Sequence, residues 1–174
     1  MQGDTGDTGD GPPKGLVIAA LVIAIVAVGA VLAVAASRRT PPPPVAIAAV
    51  PAPQAQSPEC QSLMASLPDQ LGELTRATAV EPVPAGAAAW GDAESPVIMR
   101  CGLDRPGEFV VGSPLQLVDD VEWFRIDDPD TARSTWVAVD RPVYVVLTLP
   151  AGSGPSPIQT LSGVLARTMP AIPI

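Results

Sequence analysis

The sequence of 174 residues contains no histidine, only 3% aromatic residues and two cysteines, and Lys14 is its single lysine. The absence of histidine removes the commonest general base and the commonest transition-metal ligand. This chain alone therefore cannot form a Ser-His-Asp or Cys-His nucleophile arrangement. From Ser57 onward, fifteen acidic residues stand against seven arginines. This acidic balance disfavours a nucleic-acid or anionic-lipid surface, because phosphate recognition needs clustered Lys and Arg.

One long apolar run is present, and it carries no charge from Leu16 to Ala36. At ~1.5 Å per residue it measures about 31 Å, close to the ~30 Å of a bilayer's hydrocarbon core. The run predicts a transmembrane helix, with the lipid bilayer as its partner through residues 16–36. Ala33-Val34-Ala35 resembles a signal-peptide cleavage site. Signal h-regions are shorter, at about 7–15 residues, and follow a basic segment, so the sequence favours an uncleaved anchor.

The segments on either side of this helix have biased compositions. Residues 1–15 form an acidic tail rich in Gly, Asp and Thr, which is predicted to be disordered. Residues 37–57 are rich in proline and predict an extended stalk. At ~3.1 Å per residue, the roughly eighteen residues of the segment Thr40–Pro58 reach about 55 Å. The remaining residues, 58–174, are enough for one small domain with its own core.

A helix is predicted to open this domain, with Ser57 as N-cap, Pro58 at the first helical position and an apolar stripe from Cys60 to Leu74. Pro68 is expected to break or kink that helix. The stretch 79–89, rich in Pro, Ala and Gly, predicts a loop. Four short runs then predict strands, at residues 96–101, 121–126, 134–139 and 143–149.

The remaining signals indicate how these elements fold together. The cluster Asp127-Asp128-Pro129-Asp130 predicts a hairpin turn between the second and third strands. The last strand is apolar on both faces, which is typical of a central strand. Ser156 and Pro157 repeat the helix-start signal before a second helix that ends at Pro170. This order predicts an α+β fold, an antiparallel sheet of about four strands flanked by two helices on one face.

Cys60 and Cys101 are the only cysteines. In a short domain outside the cytoplasm, an even count predicts one disulfide. Closing a loop of about forty residues contributes about 4 kcal/mol on the chain-entropy model. Two buried thiols are the alternative for a cytosolic domain. No CxxC spacing is present, so the sequence assigns no redox or zinc role.

The segment Asp119–Asp130 contains six carboxylates, and Asp128 with Asp130 begins the alternating pattern of a calcium loop. Position 132 is alanine and no distal glutamate follows at loop spacing, so a solvated hairpin end is the favoured interpretation. Paired carboxylates can also perform acid–base chemistry without histidine, but nothing in the sequence selects two of the fifteen. We therefore assign no catalytic, cofactor-binding or metal-binding residue.

The three tryptophans offer a second candidate site. Trp90, Trp123 and Trp136 can stack a sugar ring or anchor a partner. Tryptophans at strand positions in a domain short of aromatics are more often part of the core, which is the favoured interpretation.

Several short motifs resemble an actinobacterial family of anchored envelope proteins known as domain of unknown function 3515. The motifs are Trp90-Gly91, Met99-Arg100-Cys101-Gly102, Trp123-Phe124 and Arg141-Pro142-Val143-Tyr144-Val145. The resemblance spans roughly residues 60–170, and the W-G…R-C-G combination is its most specific part. It implies a signal or anchor segment, an extracytoplasmic domain and a paired cysteine, and it supplies no activity or catalytic residue.

The orientation in the membrane is a balance of opposing signals. Arg38 and Arg39 follow the apolar run and outnumber Lys14 before it, which favours a cytoplasmic domain by one charge. The cysteines and the family resemblance favour the opposite orientation, which we adopt: a single-pass protein of the cell membrane with an extracytoplasmic C-terminal domain. We expect a non-enzymatic binding or scaffolding module without a cofactor, whose partner is an envelope protein or wall component. The alternative is a carboxylate-using enzyme, or its accessory subunit, acting on cell-envelope material.

Overall fold

A computed structural model describes residues 13–37 and 42–174, which belong to two units divided after residue 41. The acidic tail up to residue 12, together with Arg38 and Arg39, lies outside the described residues. The predictions made for the structure of that tail and for the orientation that the two arginines favour therefore stay predictions.

The first unit contains one helix, α1, which spans Lys14–Ser37. Its segment Lys14–Ala35 has 22 residues and a mean hydropathy of 3.2, and none of it is buried. At about 1.5 Å per residue such a segment is about 33 Å long, which is enough for a bilayer core of about 30 Å. The apolar helix predicted over Leu16–Ala36 is confirmed. It has the length and composition of a membrane anchor or of a signal sequence.

The second unit, residues 42–174, contains a main sheet of six antiparallel strands, a separate two-stranded hairpin and two helices. In chain order its elements are α2 (Pro58–Ser66), β1 (Gln70–Leu71), β2 (Leu74–Thr75), β3 (Ala87–Trp90), β4 (Val97–Leu103), β5 (Leu115–Val118), β6 (Val121–Asp128), β7 (Arg133–Ala138), β8 (Tyr144–Pro150) and α3 (Ser156–Thr168). The main sheet has the order β3-β4-β8-β7-β6-β5, and β1 pairs with β2.

The predicted α+β fold is confirmed, but the main sheet has six strands where about four were predicted. Strand β3 lies in the stretch predicted as a loop. Its Ala-Ala-Ala-Trp sequence has little strand propensity, yet all four residues are buried and pair with β4, so packing outweighs local preference. Strand β5 is short and mostly exposed, and pairing with β6 across the turn at Asp119 and Asp120 holds it in place.

Helices α2 and α3 pack on one face of the main sheet, the helix face, and form the largest part of the core. Leu63 of α2 and Leu161 of α3 are fully buried there against Trp123 and Leu147 of the sheet. The indole Nε1–H of Trp123 donates to Ser162 Oγ at 2.9 Å, so a polar group of this core is satisfied.

Strand β8 lies between β4 and β7, as a central strand should. Its Leu147 points to the helix face, whereas Val146 is buried on the opposite face. Coverage on both faces explains the continuous apolar sequence of this strand, and the prediction of a central strand is confirmed.

The boundaries of α2 follow the predicted signals. The backbone N–H of Cys60 donates to Ser57 Oγ at 3.2 Å, which confirms Ser57 as the N-cap. The helix ends at Ser66, with Leu67 as C-cap, because Pro68 cannot continue it. Beyond Pro68 the predicted apolar stripe is wrong: its last members, Leu71 and Leu74, lie in the β1–β2 hairpin.

Helix α3 begins one position away from its predicted cap. Pro155 occupies the N-cap without a side-chain bond, and Ser156 is the first helical residue. The backbone N–H of Met169 donates to Leu165 O at 2.9 Å, and Pro170 follows directly, so the predicted end of the helix is correct.

The disulfide predicted between Cys60 and Cys101 is confirmed. It joins α2 to β4 across the core, and both cysteines are fully buried. The alternative of two separate thiols is thereby removed.

Residues 42–57, which we call the strap, belong to the range predicted as a stalk. Val45 and Ile47 are buried on the opposite face of the sheet, where they pack against Ala87, Ala89 and Ile98. The backbone N–H of Val45 donates to Thr78 O at 2.8 Å. Contacts of the globular unit therefore begin at Val45, before the predicted domain start at residue 58, because apolar side chains between the prolines find a matching apolar surface.

The connection between β4 and β5 covers another part of the opposite face. Its Phe109 is buried against Phe124 of β6, with ring centroids 5.3 Å apart. The main sheet is thus covered by helices on one face and by irregular chain on the other.

Candidate functional site

A groove of about 550 Å³ opens on the helix face, where the β6–β7 turn, the β8–α3 loop and the first turn of α3 meet. We call it the hairpin groove. Its lining includes Arg125, Asp127, Asp128, Ser134, Trp136, Leu149, Ser153, Pro155, Ile158 and Gln159. A concave site that combines apolar walls with a few polar groups is the usual form of a ligand-binding pocket.

Strand β6 explains why the groove is placed at this end of the sheet. Val121 and Trp123 are buried on the helix face, whereas Arg125 and Asp127, the next two residues on that face, are exposed. The helix face of β6 therefore changes from apolar to charged where it leaves the core. The exposed end of the strand forms part of the groove.

Trp136 of β7 is the aromatic residue of the groove. It is half-buried and lies directly opposite Arg125 of β6 in the sheet register. The guanidinium carbon of Arg125 lies 5.2 Å from the centroid of the indole ring, within the range of a cation–π interaction. The indole Nε1–H of Trp136 donates to Ser134 Oγ at 3.1 Å. These two contacts fix the ring at the groove surface.

The guanidinium of Arg125 is held from a second side by Asp127. Its Nη2 and Nε lie 2.7 and 2.9 Å from the same carboxylate oxygen, Oδ1 of Asp127. An ion pair as exposed as this one contributes little to stability. Its effect is to orient the carboxylate of Asp127 beside a cation that lies over the Trp136 ring.

Asp128 shapes the turn that ends the groove. Its Oδ1 accepts the backbone N–H groups of Asp130 and Thr131 at 3.0 and 3.3 Å. The side-chain hydrogen bond from Thr131 is the main cause that lowers the pKa of Asp128 below its ordinary value, and the backbone N–H of Asp130 adds to it. Asp128 is therefore ionised at neutral pH. The hairpin predicted between these strands is confirmed, but its turn spans residues 129–132, because Asp127 and Asp128 still pair with β7.

The opposite wall of the groove is built by α3 and the loop before it. Ile158 is buried beneath the wall, whereas Pro155 and Gln159 are exposed on it. Ser153 Oγ donates to Pro150 O at 2.7 Å. The hydroxyls of Ser153 and Ser134 are thus both engaged within the fold, and the groove offers an aromatic ring, an ion pair and an amide for non-covalent binding.

The six carboxylates of the segment Asp119–Asp130 do not come together. Asp119 and Asp120 form the turn before β6, and Glu122 lies on the face of β6 opposite to the helices. Asp127, Asp128 and Asp130 lie at the far end of β6. At about 3.4 Å per residue, the length of β6 separates the two groups by more than 20 Å. Among residues 13–37 and 42–174, no group of three or more His, Cys, Asp or Glu side chains is placed to hold a metal ion.

The three tryptophans have different surroundings. Trp90 and Trp123 are fully buried, which confirms the interpretation that they are core residues. Of the three tryptophans, only Trp136 borders the groove. Of the residues that form the groove, Trp136 belongs to the candidate stacking residues named from the sequence, whereas Arg125 and the start of α3 were not predicted as parts of a site. The change from apolar to charged residues along one face of β6 is the sequence signal that points to it.

The residues that carry the family resemblance serve the fold. The indole Nε1–H of Trp90 donates to Pro68 O at 3.1 Å, and Arg100 Nη2 donates to Ala48 O of the strap at 3.2 Å. Gly102 follows the disulfide at a φ of +85°, where its backbone meets the strap. These motif residues therefore stabilise the core and the strap, and none of them lines the hairpin groove.

Arg141, also within a resembling motif, is buried and joins three parts of the chain. Its Nη1 lies 2.7 Å from Asp140 Oδ2, and its Nη2 donates to Asp120 O at 2.6 Å. The backbone N–H of Ile172 donates to Asp140 O at 2.9 Å. This buried pair ties the β5–β6 turn and the C-terminal segment to the β7–β8 connection.

The family model described as protein of unknown function (DUF3515) matches residues 21–174. No curated protein and no solved structure matches the chain.

Proposed function

The chain belongs to the DUF3515 family of proteins of unknown function, and from that premise we propose that it is a membrane-anchored, non-enzymatic binding module outside the cytoplasm. Its ligand is an envelope protein or wall component that enters the hairpin groove. The observation that carries this proposal is the groove itself, where Trp136 and the Arg125–Asp127 pair line one concavity of about 550 Å³.

The chemistry of the groove supports binding of a ligand with both an apolar face and polar groups. The Trp136 ring supplies a flat apolar surface, and aromatic residues of this kind dominate the energetics of interfaces. The guanidinium of Arg125 and the carboxylate of Asp127 supply donors and acceptors whose positions are already fixed by each other. A ligand therefore meets an ordered set of contacts.

The anchor and the compartment rest on two further features. Helix α1 has the length and apolarity of a membrane span, and we propose that it remains uncleaved. The buried Cys60–Cys101 disulfide favours an oxidising compartment, since cytosolic disulfides are rare. Both support an extracytoplasmic globular unit.

The alternative, a carboxylate-using enzyme or its accessory subunit, would depend on Asp127 and Asp128 at the groove. Acid–base catalysis by two carboxyls needs one that stays protonated to donate a proton. Asp127 is paired with Arg125, and hydrogen bonding lowers the pKa of Asp128. The geometry therefore favours binding over catalysis.

Binding can be tested with the full chain in detergent micelles, immobilised and exposed to solubilised envelope extract and to cell-wall fragments. We expect one protein or wall component to be retained, and Arg125→Ala or Trp136→Leu to lower its retention about tenfold or more. Arg105→Ala is the matched control, because Arg105 also stacks on an aromatic ring, that of Phe109 at 4.4 Å, away from the groove. Equal retention by all three variants, or no retention at all, would refute the groove as the binding site.

The compartment is tested separately in intact cells. Cells are quenched with acid, denatured and alkylated with and without prior reduction. We expect Cys60 and Cys101 to react only after reduction, and free thiols without reductant would overturn the extracytoplasmic assignment.

A further inference from the structure

One edge strand of the main sheet is covered by other chain segments, and the other is open. The edge of β3 is covered, because the backbone N–H of Ala77 donates to Ala89 O and that of Gly91 donates to Thr75 O, both at 2.9 Å. Strand β5 forms the other edge and pairs on one side with β6. Within residues 42–174, no strand pairs with its outer side. Such an edge is a template for another strand.

The hydrogen-bonding groups of β5 that face this open edge can be identified from its neighbour. Glu122 of β6 accepts the backbone N–H of Val139 at 3.0 Å, so the Glu122 peptide groups face away from β5. Leu117 is directly opposite Glu122 in the register. Because the pattern alternates along an antiparallel pair, the N–H and C=O groups of Leu117 and Leu115 point to the open edge. Pro114 belongs to the other set, so its missing N–H does not interrupt the edge.

The side chains at this edge are also unusual for a solvent-facing surface. Leu117 is 71% exposed and Leu115 is 36% exposed, on the face opposite to the helices. In the connection just before β5, Val110 is 59% exposed and Val111 is fully exposed. Natural sheets use charges, prolines or bulges at open edges to prevent pairing with other chains. The four residues of β5 include no charge, proline or bulge.

We propose that β5 pairs antiparallel with β5 of a second copy of this chain, with Gln116 opposite Gln116 across the two-fold axis. This inference goes beyond the proposed function: it rests on the membrane attachment that the proposed function includes, but not on the identity of the ligand, although Gln116 also lines the hairpin groove. The pairing extends the main sheet from six strands to twelve.

The sequence of β5 is complementary to itself in this register. Leu115 of one copy lies opposite Leu117 of the other, so both exposed leucines gain a cross-strand apolar partner. Asp119 lies opposite Ser113, so no two like charges face each other directly. Four backbone hydrogen bonds form, since the two leucines of each copy supply the edge-facing groups.

The neighbouring registers are poorer. A shift that places Leu117 opposite Leu117 puts Leu115 opposite Asp119, which buries a leucine against a carboxylate. A shift that places Leu115 opposite Leu115 forms one apolar pair instead of two and puts Leu117 opposite Ser113, so the more exposed leucine gains no apolar partner. A second copy in the Gln116 register is therefore the occupant that these residues favour.

A pairing of two four-residue strands is a small interface, below the size typical of stable soluble dimers. Attachment of both copies to the same membrane confines them to one surface and raises their local concentration, which favours such a weak contact. The test therefore uses the full chain in membranes of the expressing cells.

The test is oxidative cross-linking of variants that carry one added cysteine beside the native pair. Residues opposite each other in a pair without mutual hydrogen bonds have Cα atoms about 4.5 Å apart, which permits a disulfide between two Gln116→Cys chains. Leu117→Cys is the matched control, because its two copies are about 8 Å apart on the diagonal, beyond disulfide reach. The native cysteines do not interfere, since both are buried in their own disulfide.

We expect Gln116→Cys to give at least about fivefold more covalent dimer than Leu117→Cys. Adding Leu117→Lys to Gln116→Cys should abolish the dimer by placing a charge at the edge, whereas adding Val50→Lys, at an exposed valine of the strap, should leave it unchanged. Equal cross-linking of Gln116→Cys and Leu117→Cys, or none in either, would overturn the proposal. A dimer from Leu117→Cys alone would overturn the Gln116 register. Tryptophan fluorescence of each variant confirms that its fold is retained.

Discussion

Substitution of Gly102 by alanine tests the contact between the strap and the sheet. Gly102 has a φ of +85°, a conformation that costs an alanine about 1–2 kcal/mol. A Cβ at this position would also collide with the backbone of Gln54 and Ala55. The backbone N–H of Gln54 donates to Gly102 O at 3.0 Å, and displacing the strap loses this bond at a further cost of about 1 kcal/mol.

Gly112 provides a matched control for the cost of placing an alanine at a positive φ. Gly112 has a φ of +87°, and a Cβ there would meet no atom within 4 Å. Gly112→Ala should therefore cost about 1–2 kcal/mol, whereas Gly102→Ala should cost about 3 kcal/mol or more, because the collision adds to the backbone strain. The difference between the two variants measures what the close approach of the strap contributes.

The assay is urea unfolding of the full chain in detergent micelles, followed by tryptophan fluorescence. All three tryptophans lie in the globular unit, so the signal reports on that unit and not on α1. Equal losses of unfolding free energy in Gly102→Ala and Gly112→Ala would refute the reasoning. They would mean that the strap does not bear on Gly102 in the folded protein.

Two further predictions concern the disulfide and the hairpin turn. The double variant Cys60→Ala, Cys101→Ala should lose about 4 kcal/mol of unfolding free energy in the same assay, because the bond closes a loop with a sequence separation of 41; a loss below about 1 kcal/mol would contradict this account. Because the pKa of Asp128 is lowered in the folded state, its charge stabilises the fold at pH values above 3.8, the ordinary pKa of the group. This stabilisation is lost as the pH falls through the lower pKa of the folded state. Asp128→Asn, which cannot titrate, should therefore be less stable than the natural chain at pH 7, and the difference should shrink in unfolding curves measured below pH 3.8; a difference independent of pH would argue against it.

Features predicted correctly from the sequence depend on neighbouring residues. Helix α1 follows from an uncharged run of sufficient length, and α2 from the Ser57 cap and the stop at Pro68. Strands β4, β6, β7 and β8 each contain enough strand-forming residues to be identified alone. The even cysteine count predicts the pairing of Cys60 with Cys101, which the family resemblance also implies and the structure confirms.

Features that the sequence did not predict depend on residues far apart in the chain. Strand β3 is three alanines and a tryptophan, and it becomes a strand because β4 pairs with it and the strap covers it. The strap looks like a spacer, since its prolines dominate its composition, but Val45 and Ile47 find an apolar surface contributed by β3 and β4.

The hairpin groove was not predicted for the same reason. Arg125 and Trp136 are eleven positions apart, and only the register of β6 and β7 places them opposite each other. The other wall comes from α3, more than twenty residues later. The change from apolar to charged residues along β6 marks one wall of the groove, but no single segment contains the pattern of the whole concave surface.

The sequence by itself therefore determined the apolar helix, the α+β class, the single disulfide, the family and the absence of histidine chemistry. Each of these depends on composition, on short-range spacing or on a motif, and such signals are present before the chain folds. The tertiary structure alone decided that the sheet has six strands, that the strap packs on it, that Trp136 borders a groove and that β5 keeps an open edge. These features depend on which distant segments pair and which surfaces remain uncovered, and long-range packing decides both.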